Sequence, residues 1–184
     1  MSLVVRPATA GDVDRLAEIH VAGYEEAYRG IVADEVIDSR TVALRRRVWS
    51  ERLAGARPRE FVLVAELDGR VEGFVSGRQA VIGEVERLDE TVGCWENLYS
   101  DPELLGDARG FRVALEMHRG VERAFAELGF REAVCFAIEG NDRAARFFDL
   151  MGWREDGSVR EVEGMVQHRR RRTFRAPVPV GSNE

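Results

Sequence analysis

Ala133-Val134-Cys135-Phe136-Ala137-Ile138-Glu139-Gly140-Asn141-Asp142-Arg143-Ala144-Ala145-Arg146-Phe147-Phe148-Asp149-Leu150-Met151-Gly152-Trp153 changes character twice within a few residues. Its first six residues form a near-continuous apolar run, the pattern of a strand buried on both faces. Asn141 then offers a side-chain oxygen that can cap a helix start. Gly152 can end that helix after Met151. The segment therefore reads as a buried strand, a short capped helix and the beginning of another strand.

Upstream, Phe111, Ala114, Leu115, His118, Val121, Phe125 and Leu128 recur at helical spacing and predict a helix over about 108–128, stopped by Gly129. The run over about 91–100, with Val92, Cys94, Trp95, Leu98 and Tyr99, reads as a strand closed by Asp101-Pro102. Segments 61–65 and 71–75 flank Asp68-Gly69, a strong hairpin signal. Leu3-Val4-Val5-Arg6-Pro7 is an edge strand ended by its proline. Thr9 and Asp12 at capping spacing open a helix over roughly 10–27. A second helix is expected over about 33–53, with Val36, Ile37, Val42, Leu44, Val48 and Leu53 as its apolar set. Two last strands follow at about 153–162 and 164–174, and 175–184 is expected to be disordered. A helix between neighbouring strands implies parallel pairing, and a hairpin implies antiparallel pairing. The expected fold is α/β: one domain over 1–174, with a mixed twisted sheet of about seven strands flanked by about four helices.

Composition narrows the function. The chain has 184 residues, 45% hydrophobic and 33% charged, a balance that suits one globular domain rather than a disordered chain. No apolar run approaches the ~20 residues that span a bilayer, and the first residues do not read as a signal peptide, so no membrane is expected. Net charge is -6, which argues against nucleic acid as a partner. Cys94 and Cys135 read as reduced core thiols of a cytoplasmic protein. His20, His118 and His168 are far apart and read as structural, and no Cys/His spacing suggests a metal. Arg169-Arg170-Arg171-Arg172 reads as a solvated final strand whose alternate arginines point to opposite faces. The chain contains no lysine.

Three segments resemble the GCN5-related N-acetyltransferase (GNAT) superfamily, over about residues 3–174. The Asn141-to-Trp153 segment is similar to the family's Asn, two residues, Ala, then Phe-Tyr and a terminal Gly-aromatic pair. Leu98-Tyr99-Ser100-Asp101-Pro102, followed by Leu105-Gly106-Asp107-Ala108-Arg109-Gly110, is similar to the family's cofactor loop. In that loop Leu105 stands where Arg or Gln is usual and Ala108 where Gly is usual. His20 to Glu35, with its Tyr28-Arg29-Gly30 turn, is similar to a bacterial subgroup of mostly unknown substrate.

The resemblance implies acetyl-CoA as cosubstrate and a small-molecule or peptide amine as acceptor, and it leaves a homodimer open. Pantetheine would pair with the backbone of Leu98, Tyr99 and Ser100. Pyrophosphate would lie on Leu105, Gly106, Asp107, Ala108, Arg109, Gly110 and Phe111, where small residues and a helix N-terminus favour anions. Asn141 and Phe148 would complete the cofactor site, and Tyr24 and Tyr28 would face the acceptor. Glu96 shares a face with Cys94, which stands at the family's usual Glu position, and is the candidate general base. Phe148 occupies the usual place of the tyrosine that protonates the leaving thiolate, and it cannot donate. Two other readings are a non-catalytic CoA-binding or ligand-sensing domain and a dinucleotide-binding α/β domain. The second lacks Gly-x-Gly-x-x-Gly after an early strand.

Overall fold

Asp68 and Gly69 both take positive φ, 49° and 87°, and reverse the chain between β2 (Glu60–Leu67) and β3 (Arg70–Gln79). That hairpin belongs to a mixed sheet seen in a computed structural model that describes residues 2–55 and 57–174. The expectation for 175–184 lies outside the described residues. Seven strands form one sheet in the order β1-β2-β3-β4-β5-β7-β6, with β1 (Leu3–Pro7) at one edge. The other strands are β4 (Val92–Ser100), β5 (Glu132–Ile138), β6 (Arg154–Val162) and β7 (Met165–Thr173). Among these seven strands only β4 and β5 pair in parallel, joined by the long helix α4 (Ala108–Glu127). Helix α5 (Asp142–Leu150) leads from β5 to β6, but β7 lies between those strands and pairs antiparallel with each.

Each face of the sheet buries its own core. On one side α4 and α5 cover Val75, Trp95, Phe125, Phe148 and Trp153. On the other, α1 (Val13–Tyr28) and α3 (Val42–Ala54) cover Leu16, Trp49, Val64 and Phe74. Fully burying an apolar side chain of this size contributes roughly 1.5–3 kcal/mol, so these layers fix which helix lies over which strand.

Two expectations need correction. The helix expected over 33–53 is two helices, α2 (Asp34–Asp38) and α3. Thr41 interrupts it: its hydroxyl caps α3 by accepting from the Leu44 amide at 3.3 Å. Leu44 and Val48 are exposed, and the α3 residue that carries the burial is Trp49, 1% exposed. The four arginines do alternate between faces on the last strand, but that strand is not a solvated one. Their strand is β7, inside the sheet, and Arg169 and Arg170 are buried. Arg169 bonds Asp156 and the Glu84 carbonyl, Arg170 bonds Asp149 and Glu155, Arg171 bonds Asp156 and Glu132, and Arg172 bonds Glu122. Among the described residues no helix is long and apolar enough to cross a membrane.

Candidate active site

β4 and β5 pair only from Val92 with Glu132 to Trp95 with Cys135. Beyond that point the strands part. The cause is visible on the other side of β4, where Gly77 is opposite Trp95 and Ser76 is opposite Asn97, so Glu96 is the extra residue of a bulge. A bulge bends its strand and increases the local twist. The second half of β4 turns away from β5, and its β5-facing backbone groups line a cleft of about 640 Å³.

The cleft runs from the start of α4, between the parted strands, to the end of α1. Leu98, Tyr99 and Ser100 form one wall, with Phe136 and Ala137 of β5 opposite. Leu105, Gly106, Asp107, Ala108, Gly110 and Phe111 line one end. Gly106 takes φ +78° and turns the chain into α4. Gly110 is demanded by packing: a Cβ there would lie 2.0 Å from the Leu104 carbonyl oxygen. Asp107 caps α4 by accepting from the Arg109 amide at 2.8 Å, and its other oxygen takes the Arg109 side chain at 2.7 Å. That internal pair directs Arg109 away, so among the loop residues expected to meet a cofactor it alone does not line the cleft. The amides of Gly106, Ala108 and Gly110 have no acceptor among the described residues, the arrangement that favours an anion at a helix N-terminus.

At the other end Asn141, Tyr28 and Tyr99 meet. The Asn141 Oδ1 accepts from the Ala144 amide at 3.1 Å, the expected cap of α5. Tyr28 lines the cleft here together with both of them. Burial raises the Tyr28 phenol above its ordinary value, so it stays protonated at neutral pH. Tyr24 does not reach the cleft; it is buried behind Tyr28, ring centroids 4.6 Å apart, against Met165. α1 comes this close because Gly23 faces β4; a Cβ there would be 2.9 Å from the Tyr99 ring.

Phe148 lines the cleft and packs on Trp95 and Trp153, with no hydroxyl to offer. Glu96 lines it too, but both carboxylate oxygens are engaged, one by Arg52 at 2.5 Å and the other by Arg78 at 2.7 Å. Each oxygen already holds a guanidinium, which weighs against the expectation that Glu96 is poised as a base. Its visible work is to tie α3 to the bulge. Sequence reasoning missed Asn97, Arg143, Arg146 and Phe147. For the last three a signal existed: they and Leu150 fall on one face of α5 at helical spacing.

The sequence matches no protein-family model and no curated protein. Solved structures do match. The N-acetyltransferase PaiA from Thermoplasma acidophilum, in complex with coenzyme A, superposes with TM-score 0.73 at 16% identity, covering 92% of this chain and 98% of that one. The chain has the GNAT fold. A GCN5-related N-acetyltransferase structure from Rhodopseudomonas palustris gives 0.68 at 20% identity, over 95% and 97% of the two chains. A spermidine N-acetyltransferase SpeG chimera from Vibrio cholerae and hSSAT gives 0.67 at 16%, over 94% and 96%. In this GNAT fold the parted strands and the loop before α4 are the elements that build the cleft.

Proposed function

We propose that the protein is an acetyl-CoA-dependent N-acetyltransferase that transfers an acetyl group to a primary amine by direct attack on the thioester. The observation that carries this is the parting of β4 from β5 beyond Trp95 and Cys135. It leaves an unpaired backbone edge long enough for a chain of amides, leading from an anion-binding loop to a pair of tyrosines. The coenzyme A in the PaiA complex has that sequence of parts: phosphates, a pantetheine arm and a thiol. The fit is supported by the free amides of Gly106, Ala108 and Gly110 and by the space that Gly110 keeps open. Two buried free thiols suit a cytoplasmic setting.

Bound acetyl-CoA would supply a thioester whose carbonyl carbon accepts the amine. A β4 backbone N–H near Leu98 would hold the carbonyl oxygen, where a preorganised donor stabilises developing charge. Tyr28 would give its proton to the leaving thiolate in place of the hydroxyl that Phe148 lacks. With Glu96 engaged, the amine would reach the cleft already neutral, drawn from the deprotonated fraction in solution. The Leu105 to Phe111 loop would orient the phosphates through main-chain N–H groups, and Arg143 and Arg146 would add positive charge from α5.

Isothermal calorimetry with CoA, followed by thioester turnover against a panel of amines, tests the reading. Absence of CoA binding at millimolar concentration sinks it. CoA binding without turnover of any amine would favour a ligand-sensing domain instead, a reading that Phe148 and the engaged Glu96 support.

A further inference from the structure

On the α1 and α3 side of Tyr99, His20, Arg40 and Arg45 gather around Tyr24 and Tyr99. The His20 ring stacks on Tyr99 with centroids 4.9 Å apart. Arg40 lies over the Tyr24 ring at 4.3 Å and bonds Glu163 at 2.7 Å. Arg45 is half-buried and has no carboxylate within ion-pair distance among the described residues. Arg15, Arg52 and Arg78 are half-buried and matched by Asp101, Glu96 and Glu84, while Arg59 also lacks a carboxylate but donates to the Glu90 carbonyl. The Nε atoms of Arg40 and Arg45 and the Nδ1 atom of His20 are buried without a hydrogen-bond partner among the described residues. Burial and the nearby Arg40 charge hold the Arg45 guanidinium below its ordinary value, and burial with both arginines pushes His20 down to about 3.

We propose that the acceptor is an amine that carries a carboxylate, and that Arg45 receives that carboxylate. The proposal rests on the acetyltransferase reading and adds the substrate class. A desolvated, unpaired cation opposes folding. A bound anion removes that penalty, so the arrangement suits a site that is completed by its ligand. Glu163 already balances Arg40, which leaves one positive charge, the complement of one carboxylate rather than of a phosphate dianion. The guanidinium offers two parallel N–H donors that match a carboxylate's two oxygens. Arg45 lies one helical turn before Trp49, whose ring is 5.8 Å from His20, and His20 stacks on Tyr99, which lines the cleft; an amine tethered to the bound carboxylate would be directed toward Tyr28 and the parted strand.

The test compares acetyl-CoA turnover of α-, β- and γ-amino acids with turnover of their carboxamides and of spermidine. It uses wild type, Arg45→Gln and, as control, Arg46→Gln, whose exposed side chain pairs with Asp14. The acid should exceed its amide in kcat/KM by about 10- to 100-fold, the range for a charged hydrogen-bonded pair. Arg45→Gln should erase that preference by raising KM for the acid, with kcat and the acetyl-CoA KM little changed, and Arg46→Gln should keep it. Preference for amides or spermidine, or a preference that survives Arg45→Gln, overturns the proposal. A second arm needs no turnover: acetate titrated at constant ionic strength should raise the melting temperature of wild type but not of Arg45→Gln. Without acetate, Arg45→Gln should melt no lower than wild type, whereas a residue held for structure alone would melt lower. No Arg45-dependent acetate effect overturns the carboxylate site. CoA binding, measured separately, decides the acetyltransferase reading.

Discussion

The ring of Phe148 meets the indole of Trp95 edge-on, with centroids 5.4 Å apart and planes at 90°. This contact stands where β4 and β5 begin to part, so one ring both packs the core and borders the cleft. Phe148→Tyr keeps the ring in its slot and adds only a hydroxyl. The variant should fold as wild type does, with kcat unchanged or raised by up to ~10²-fold if the new hydroxyl reaches the thiolate. Phe148→Ala should lose about 3–5 kcal/mol of stability through the cavity it leaves. Chemical denaturation and steady-state turnover read both. A folded but inactive Phe148→Tyr would mean that the ring faces the acceptor.

Tyr28→Phe removes a hydroxyl from the lining of the cleft. The proposed proton donor goes with it. A fall in kcat of about 10²-fold is expected, the low end for general acid catalysis, with KM for acetyl-CoA little changed. Because burial raises this phenol, wild-type kcat/KM should keep rising with pH toward the pKa of the amine, about 8 for an α-amine. Unchanged kcat in the variant would remove Tyr28 from the chemistry.

Glu96→Gln leaves Arg52 and Arg78 facing a neutral amide. A stability loss of about 1–3 kcal/mol is expected from the weakened charged hydrogen bonds. With the carboxylate held by two guanidinium groups, the pH–rate profile should keep its shape. A profile shifted upward in the variant would restore Glu96 to the mechanism.

His118 gives the fold an acid limit. Its Nε2 accepts from the Trp153 indole at 3.2 Å, and burial pushes its pKa from 6.5 down to about 4. The unfolded chain therefore takes up a proton that the folded chain refuses between those values. Stability is full above 6.5 and falls as pH drops toward 4, by about 1.4 kcal/mol per unit for this one group. His118→Gln should remove that share of the slope. Urea unfolding across this window measures it, and an unaltered slope would show that His118 does not contribute.

Local chemistry was readable in the residues themselves. Asp68-Gly69 demanded a hairpin, Asn141 a cap and Gly152 a stop, and each signal lies within a few residues of its effect. What escaped notice depends on distant partners. Arg169 to Arg172 read as solvated because Glu122, Asp149 and Asp156 reach them only in the folded chain. The bulge at Glu96 arises from register against β3, which no β4 residue announces. Arg45 went unnoticed for the opposite reason: what marks it is the lack of a counter-charge, and a sequence cannot display that.

The parted strand has an evolutionary consequence. One wall of the cleft is main chain, and every amino acid brings the same amide and carbonyl. Side chains along that wall can drift without erasing its hydrogen-bonding edge, provided the bulge and the close approaches at Gly23 and Gly110 survive. Likeness of this kind leaves little trace in residue-by-residue comparison, and it emerges when backbones are laid over one another.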